Sequence, residues 1–330
     1  MKFPVDCSLP GFEQVIFDQI ALFEFNSFQV GVNALDDALK ISIRNHLEKA
    51  ISAKFNVPVQ QEFPDLYLLL YYDRGFFELQ PKSIFVEGKY KKFSRDIAQT
   101  FHYCFRCKGR GCSSCNFKGK LTEQSVQELI ELVFFEAFNS NESKFHGCGR
   151  EDVDVLMLGS GRPFVIELLF PKKRTVNLSE LEEKVNLLLK GKIELSGLNF
   201  VAKERVVEIK NTSYDKVYSA LCSYSGKLSQ KKVDSFVGKK ISIVQRTPER
   251  VEKRRVDKER EKYAIIKKCV LLENNTFIIE LLASHGLYVK EFISGDGART
   301  NPSISSLIGV NAVCNLLDVI EVCFENSEKK

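Results

Sequence analysis

A chain of 330 residues with 44% apolar residues can bury a sizeable core and is long enough for two domains. Its net charge of +5 is small, so any affinity for a polyanion must come from where the charges are placed. The opening MKFPVDCSLPGFEQVIF carries an early acid and no long apolar core, and the most apolar run, LYLLLYY at 66–72, is far too short to cross a bilayer. These features lead us to expect no secretory leader and no membrane-spanning helix, and a soluble protein of the cytoplasm or nucleus.

In chain order, the residues up to about 60 mix apolar and polar positions at helical spacing. DALKISIRNHLEKAISAKF (37–55) sets Leu39, Ile43, Leu47, Ile51 and Phe55 on one side of a helix. PDLYLLLYYDRGFFELQPKSIFVEGKYKK (64–92), broken at Asp73-Arg74-Gly75 and at Pro81, reads as strands and a hairpin. Together they predict a small α/β module. YCFRCKGRGCSSCNFKGK (103–120) is too rich in Gly and Cys for a regular element and marks a boundary. Ser125-Val126-Gln127-Glu128 is a capping-box signature opening a helix that turns Val126, Leu129, Ile130, Val133 and Phe134 inward.

GREDVDVLMLGSGRPFVIE (149–167) reads as a buried hairpin turning at Gly159-Ser160-Gly161. It nevertheless holds four carboxylates and two arginines, which a core hairpin does not need. LSELEEKVNLLLKG predicts a second helix, with Ser179 and Glu182 as its capping box and Gly191 at its stop. LNFVAKERVVEIK, ISIVQR and the region of TFIIELLASHGLYVKEFIS read as further strands, and the closing ENSEKK is expected to fray.

Six of the ten cysteines are scattered (Cys7, Cys148, Cys222, Cys269, Cys314 and Cys323), and no disulfide framework is expected. The others form Cys104-x2-Cys107-x4-Cys112-x2-Cys115, two knuckles that can wrap one tetrahedral ion. Four thiolates leave no open position for a catalytic water, so the predicted ion is a structural zinc; the alternative is four reduced thiols on a flexible loop. Residues 239–268 hold twelve Lys or Arg against five Asp or Glu, a surplus of seven, larger than that of the whole chain. Arg246, Arg250, Arg254, Arg255 and Arg260 supply forked donors suited to phosphate oxygens, which favours a nucleic-acid strip over a solvated helix of alternating charge.

Three short stretches carry candidate chemistry. In GREDVDV (149–155), Asp152 ends a loop entering a strand and is a candidate nucleophile, although aspartates so placed more often cap or pair. In KVYSA (216–220), Tyr218 can stack on a base or serve as a core aromatic. In GLYVKEFISGDGART, Lys290 follows Tyr288 by two, so a strand would point both to one face; Lys290 is then solvated, or is inward with an anionic partner such as Asp152.

These elements, in this order, resemble the active-site elements of pseudouridine synthases. The longer strings GREDVDVLMLGSGRPFVIE, QRTPERVEKRR and GLYVKEFISGDGART are similar to those of the archaeal and eukaryotic tRNA pseudouridine synthases that modify the T-arm, the family numbered ten among the eukaryotic synthases. The likeness is close over about 121–330. It is looser upstream, where PDLYLLLYY, VEGKYKKFSRDIAQT and the cysteine cluster resemble the family's accessory domain. The chain departs from the family pattern at Phe101-His102, where a tryptophan is usual shortly after the QT dipeptide, and at Ala298-Arg299-Thr300-Asn301-Pro302, where Gly-Arg-Thr-Lys-Pro is common.

The resemblance implies an α/β (α+β) fold: a mixed, mainly antiparallel catalytic sheet flanked by helices over 121–330. A smaller THUMP-like RNA-binding domain would span 1–120 and include the zinc knuckle of 103–120. It implies conversion of uridine to pseudouridine at one or both of two neighbouring T-arm uridines, with no organic cofactor, because substrate and product are isomers. Asp152 would be the nucleophile, Tyr218 the ring stacked on the uracil and an aid in removing the C5 proton, Lys290 the cation that keeps the carboxylate ionised, and Tyr288 a second aromatic wall. Arg246, Arg250, Arg254, Arg255 and Arg299 would hold the RNA backbone around a flipped base. Arg150 and Arg162 would fill the space it leaves, unless Arg162 instead braces Glu151, Asp154 or Glu167. Asp154 is expected to organise an arginine, and Glu151 and Glu167 to be structural. Two other readings compete: a catalytically silent RNA-binding protein on the same fold, and a zinc-dependent base deaminase. The deaminase lacks the motif it needs around His46, His102, His146 or His285.

Overall fold

The computed structural model describes residues 9–323, without the side chains of residues 9–11, 253 and 254. The expectations for Cys7, for the Arg254 side chain and for the closing ENSEKK lie outside the described residues.

The first layer is built from α1 (Leu9–Ile20), β1 (Phe28–Asn33), α2 (Asp37–Phe55), β2 (Leu66–Tyr71) and β3 (Phe76–Pro81). Phe12, Ile16 and Ile20 recur every fourth residue along α1, and Ile43, Leu47 and Ile51 along α2. Both stripes pack on a three-stranded sheet in which β1 runs parallel to β2 and β2 antiparallel to β3. Asp36 caps α2 by accepting from Leu39 N, and Gly75, at φ +61, closes the β2–β3 turn. This is the small α/β module expected from the sequence.

The rest of the chain forms β4 (Ile84–Lys92), α3 (Val126–Phe138), β5 (Glu142–Gly147), β6 (Val155–Leu169), α4 (Leu178–Leu188), β7 (Ile193–Val201), α5 (Glu204–Asn211), β8 (Asp215–Tyr224), α6 (Gln230–Asp234), β9 (Lys240–Arg246), β10 (Glu259–Leu272), β11 (Thr276–Ala283), α7 (Val289–Ser294), β12 (Thr300–Asn301), α8 (Ile304–Ile308) and β13 (Ala312–Cys323). Its strands make one ten-stranded sheet in the order β12-β9-β10-β11-β8-β13-β6-β4-β7, with β5 also on β6. Among the described strands of this sheet, β13 and β6 alone pair in parallel. The fold is therefore a mixed, mainly antiparallel α/β sheet with helices packed against it, as expected.

One strand lies across the expected division. β4 pairs with both β6 and β7, so the ten-stranded sheet begins at residue 84 and a boundary at 120/121 would cut it. The cysteine-rich stretch is an excursion from this sheet, tied back by bridges Ala98↔Ser125 and Tyr103↔Lys120.

Several local expectations are met and several are corrected. Ser125 caps α3 by accepting from Glu128 N, and Val126, Leu129, Ile130, Val133 and Phe134 are all buried. The cap of α4 is Asn177, whose carboxamide accepts from Ser179 N and Glu180 N; Glu182 instead accepts from Leu198 N. Residues 204–211, read as strand, form α5. The stretch 149–167 is no hairpin, because residues 155–169 run as one strand, β6. Gly159 and Gly161, at φ +61 and +80, bend it without reversing it. A Cβ on Gly159 would stand 2.1 Å from Ile320 O, so glycine is what lets β13 approach. Residues 286–294, also read as strand, are a turn and the short helix α7.

Candidate active site

Three elements bring the predicted trio together. Asp152 sits in the loop between β5 and β6, Tyr218 faces inward from β8, and Lys290 lies in the first turn of α7. All three line one pocket with Tyr288, Arg250 and the apolar floor residue Val319. The Asp152 side chain is 42% exposed and so open to a ligand in the pocket. Arg250 Nη1 lies 3.0 Å from Asp152 Oδ2, and Lys290 Nζ lies 3.7 Å from the same oxygen.

Lys290 makes its shorter contacts elsewhere, at 2.8 Å to both carboxylate oxygens of Asp154. Asp154 thus takes the lysine and not an arginine. Burial pushes the Asp154 carboxyl up, and the Lys290 ammonium more than offsets this, leaving it below the ordinary carboxylate value. Burial pushes the Tyr218 phenol up, with Arg162 opposing and the Glu151 and Asp152 carboxylates adding to the rise, so the ring stays neutral near pH 7.

The loop carrying Asp152 is held along its length by side chains from 90–99, a stretch not anticipated as part of the site. Gln99 Nε2 donates to Gly149 O at 3.0 Å. Lys92, wholly buried, donates to Val153 O at 2.6 Å, to Ile97 O at 2.8 Å and to Asp152 O at 3.4 Å. Arg95 Nη1 donates to Asp154 O at 2.9 Å, and Nη2 pairs with Asp318 on β13. Burial lowers the Lys92 ammonium to about 8 against the pull of Glu151 and Asp154. The sequence did contain a signal: Lys92 falls in phase with Val86 and Tyr90 on β4, whose alternate residues are all buried.

Beneath the loop lies a charged pair shielded from water. Arg162 Nε stands 2.8 Å from Glu151 Oε2, with both side chains 1% exposed. Tyr90 donates its hydroxyl to Glu151 Oε1 at 2.7 Å, and Arg162 Nη1 donates to Cys148 O at 2.7 Å. Arg162 therefore braces Glu151, the alternative anticipated for it, and both residues also line the Asp152 pocket; burial of the Glu151 carboxylate requires a paired cation. Glu167 pairs with Lys144 and His146, a structural role.

The other arginines divide. Arg150 and Arg250 line the pocket, and Arg255 lines an adjoining arm of the same cleft. Arg250 is also held by Glu291 of α7 and lies 6.0 Å from the Tyr288 ring centre. Arg246 pairs with Asp257 through Nε at 2.9 Å, and Arg299 donates to Thr247 O and reaches Glu252. These last two brace the segment bearing Arg250 and do not line the pocket. Tyr288 is fixed through its backbone, since Gln245 accepts from Tyr288 N at 2.8 Å and donates to Tyr288 O at 3.0 Å.

Cys104, Cys107, Cys112 and Cys115 turn their sulfurs to a common centre, all within 4.8 Å of one another, and could hold a metal ion. Three of the separations are 3.9, 3.8 and 3.8 Å. Four sulfurs about 2.3 Å from a tetrahedral ion would stand about 3.8 Å apart. Gly111 N, Cys112 N and Gly119 N donate to Cys107 and Cys115 sulfurs, the arrangement that stabilises thiolates. Among the described residues no helix is long and apolar enough to cross a membrane.

The family model described as Pus10, C-terminal, matches residues 85–323, beginning in β4. The chain is 38% identical to the tRNA pseudouridine synthase Pus10 of Korarchaeum cryptofilum, over 87% of this chain and 78% of that one. It is 40% identical to that of Methanothermobacter marburgensis, over 91% and 79%, and 36% identical to that of Archaeoglobus fulgidus, over 94% and 91%. A crystal structure of a Cbf5-Nop10-Gar1 complex aligns with TM-score 0.32 and 14% identity, covering 71% of this chain and 58% of that one.

Proposed function

We propose, from the premise that the chain belongs to the Pus10 family of tRNA pseudouridine synthases, that it isomerises uridine to pseudouridine at one or both of two neighbouring uridines in the T-arm of tRNA, with Asp152 as its nucleophile. The observation that carries the assignment of Asp152 is its place beside Tyr218, Lys290 and Arg250 in one pocket.

The reaction breaks the bond from C1′ to N1, turns the uracil, and joins C1′ to C5; C5 loses a proton and N1 gains one. Asp152 starts the cleavage, with the Arg250 guanidinium and the Lys290 ammonium beside its carboxylate. Lys290 is oriented by Asp154. Tyr218, neutral, stacks on the uracil and keeps the loosened base in place, and Tyr288 supplies a second wall. The base reaches the pocket by leaving its stack, while Arg150, Arg250 and Arg255 face the RNA at the cleft mouth.

The accessory RNA-binding unit is taken as the segment before β4 together with the knuckle of 103–120, and the catalytic unit as the ten-stranded sheet from residue 84. Zinc is the metal the knuckle would hold, and its four sulfurs would close the coordination sphere, which leaves the ion a structural part and disfavours a deaminase. A substrate of this kind places the protein where tRNA is processed, in cytoplasm or nucleus. The test is to map pseudouridine in an unmodified tRNA transcript after incubation with wild type and with Asp152→Asn. Product from the wild type and none from a variant that still binds tRNA is expected; equal product from both refutes the assignment, and no product from either favours a silent RNA-binding protein.

A further inference from the structure

The Asp152 pocket does not end at Asp152. Arg150, Asp152, Arg250 and Tyr288 also line a second arm of the cleft, which runs toward the cysteine knuckle and is walled there by Tyr103 and Phe105. We propose that these two rings form a stacking platform for an unpaired nucleobase of the RNA substrate, a neighbour of the base drawn toward Asp152. The proposal rests on the reading that Asp152 acts on RNA and names a second contact made by that substrate.

Tyr103 is 61% and Phe105 64% exposed, although they flank the wholly buried Cys104. The knuckle thus fixes its sulfurs inward and leaves the adjacent rings in the cleft. Tyr103 is also anchored: Phe101 lies 4.4 Å away between ring centres, and a Cβ on Gly109 would come within 3.0 Å of the ring. Gly109, at φ +92, is the residue that allows this close approach. Packing on these sides holds the Tyr103 ring while the rest stays open to the cleft.

The charges of the same arm fit an RNA strand. Its cations are Arg150, Arg250 and Arg255, and its acids are Asp152 and Glu151, the latter already paired in the interior with Arg162. Aromatic rings and guanidinium groups lining one cleft suit the bases and the phosphates of a single strand. An acidic peptide would find the arginines but would have no use for two flat rings. Extraction of one base from a folded RNA also disturbs the stacking of its neighbours, and a platform a short way along the same cleft gives a displaced neighbour a surface to stack on.

The chain contains no tryptophan, so Phe105→Trp places a single indole in this arm. With the full metal-loaded protein and an unmodified tRNA transcript, its emission is expected to be quenched as tRNA binds, with or without Asp152→Asn. In a second measurement, Tyr103→Leu/Phe105→Leu keeps apolar bulk and removes the rings. It is expected to bind tRNA about tenfold or more weakly with its metal content unchanged. An indole whose emission stays constant while a mobility shift shows tRNA saturating the protein overturns the platform, as does a metal-loaded leucine variant with wild-type affinity. If the leucine variant loses its metal, the indole measurement alone decides. Neither readout needs turnover, so a failure of Asp152 as nucleophile, seen as product formed by Asp152→Asn, is distinguishable from a failure of the platform.

Discussion

Arg250 stands closer to the Asp152 carboxylate than Lys290 does, at 3.0 Å against 3.7 Å. The nearer cation comes from the segment between β9 and β10, and it is held by Glu291 of the same helix that presents Lys290. The carboxylate is thus addressed from two directions, by one arginine on a loop and one lysine on a helix.

Replacing Arg250 should act on turnover and on stability through different partners. Both members of the Arg250–Asp152 pair are about two-fifths exposed, so that pair itself adds little to folding, but Glu291, 7% exposed, would be left without its cation. Arg250→Met is expected to lower kcat by about tenfold to a hundredfold, the scale of losing one positioned charge, and to lower the thermal midpoint; Arg250→Met/Glu291→Gln should recover much of the midpoint and none of the turnover. A single-turnover assay beside melting curves checks this; normal turnover in Arg250→Met would contradict it.

The Glu151–Arg162 pair should act on stability. Removing one partner strands the other charge in the interior, so Arg162→Met should destabilise the fold by about 3–5 kcal/mol in a urea titration. Glu151→Gln/Arg162→Met should recover much of that loss. A double variant as unstable as the single one would show that the two charges do not depend on each other.

Lys92 predicts a dependence on pH. Its folded value near 8 lies below its ordinary value of 10.5. Between the two the unfolded chain holds a proton that the folded chain has released, so this residue's contribution to stability rises as pH rises from about 8 toward 10.5. The groups that set its value are Glu151 and Asp154, which raise it, and Arg162 and Arg95, which lower it together with burial. Lys92→Met should flatten that part of the stability profile. It should also reduce kcat while leaving tRNA affinity nearly unchanged, because Val153 O loses its donor beside Asp152. An unaltered slope in denaturation curves between pH 8 and 10.5 would count against it.

The knuckle should bind one zinc ion per chain, measured by elemental analysis, and Cys112→Ser should abolish it. Because the knuckle returns to the sheet through short bridges, loss of the ion should weaken tRNA binding and leave the circular dichroism of the sheet nearly intact. Global unfolding on chelation would mean that the ion supports the core.

What the sequence disclosed follows from how local each signal is. The cap at Ser125, the stripe of α2 and the spacing of the four cysteines are set by residues within a turn or two of one another. The gathering of Asp152, Tyr218 and Lys290 was legible only through family resemblance, since three remote segments must meet. The bend at Gly159 was misread as a turn because the reason for glycine there is a backbone atom of Ile320, far along the chain. Lys290 was placed on a strand because Gly286 and the short helix after it leave little periodicity to read. The support from Tyr90, Lys92, Arg95 and Gln99 was missed because a lysine at the end of a strand looks solvated until the carbonyls it serves are known.

The position of β13 has a consequence for biosynthesis. It lies between β8 and β6 and provides the strand pairing between the two halves of the large sheet. A nascent chain emerging from the ribosome must therefore hold both halves with raw edges until residues 312–323 arrive. During that interval β6 and β8 each offer an unpaired side to any neighbouring polypeptide. Overproduction that outpaces this last step should give aggregates, and slower translation should relieve them.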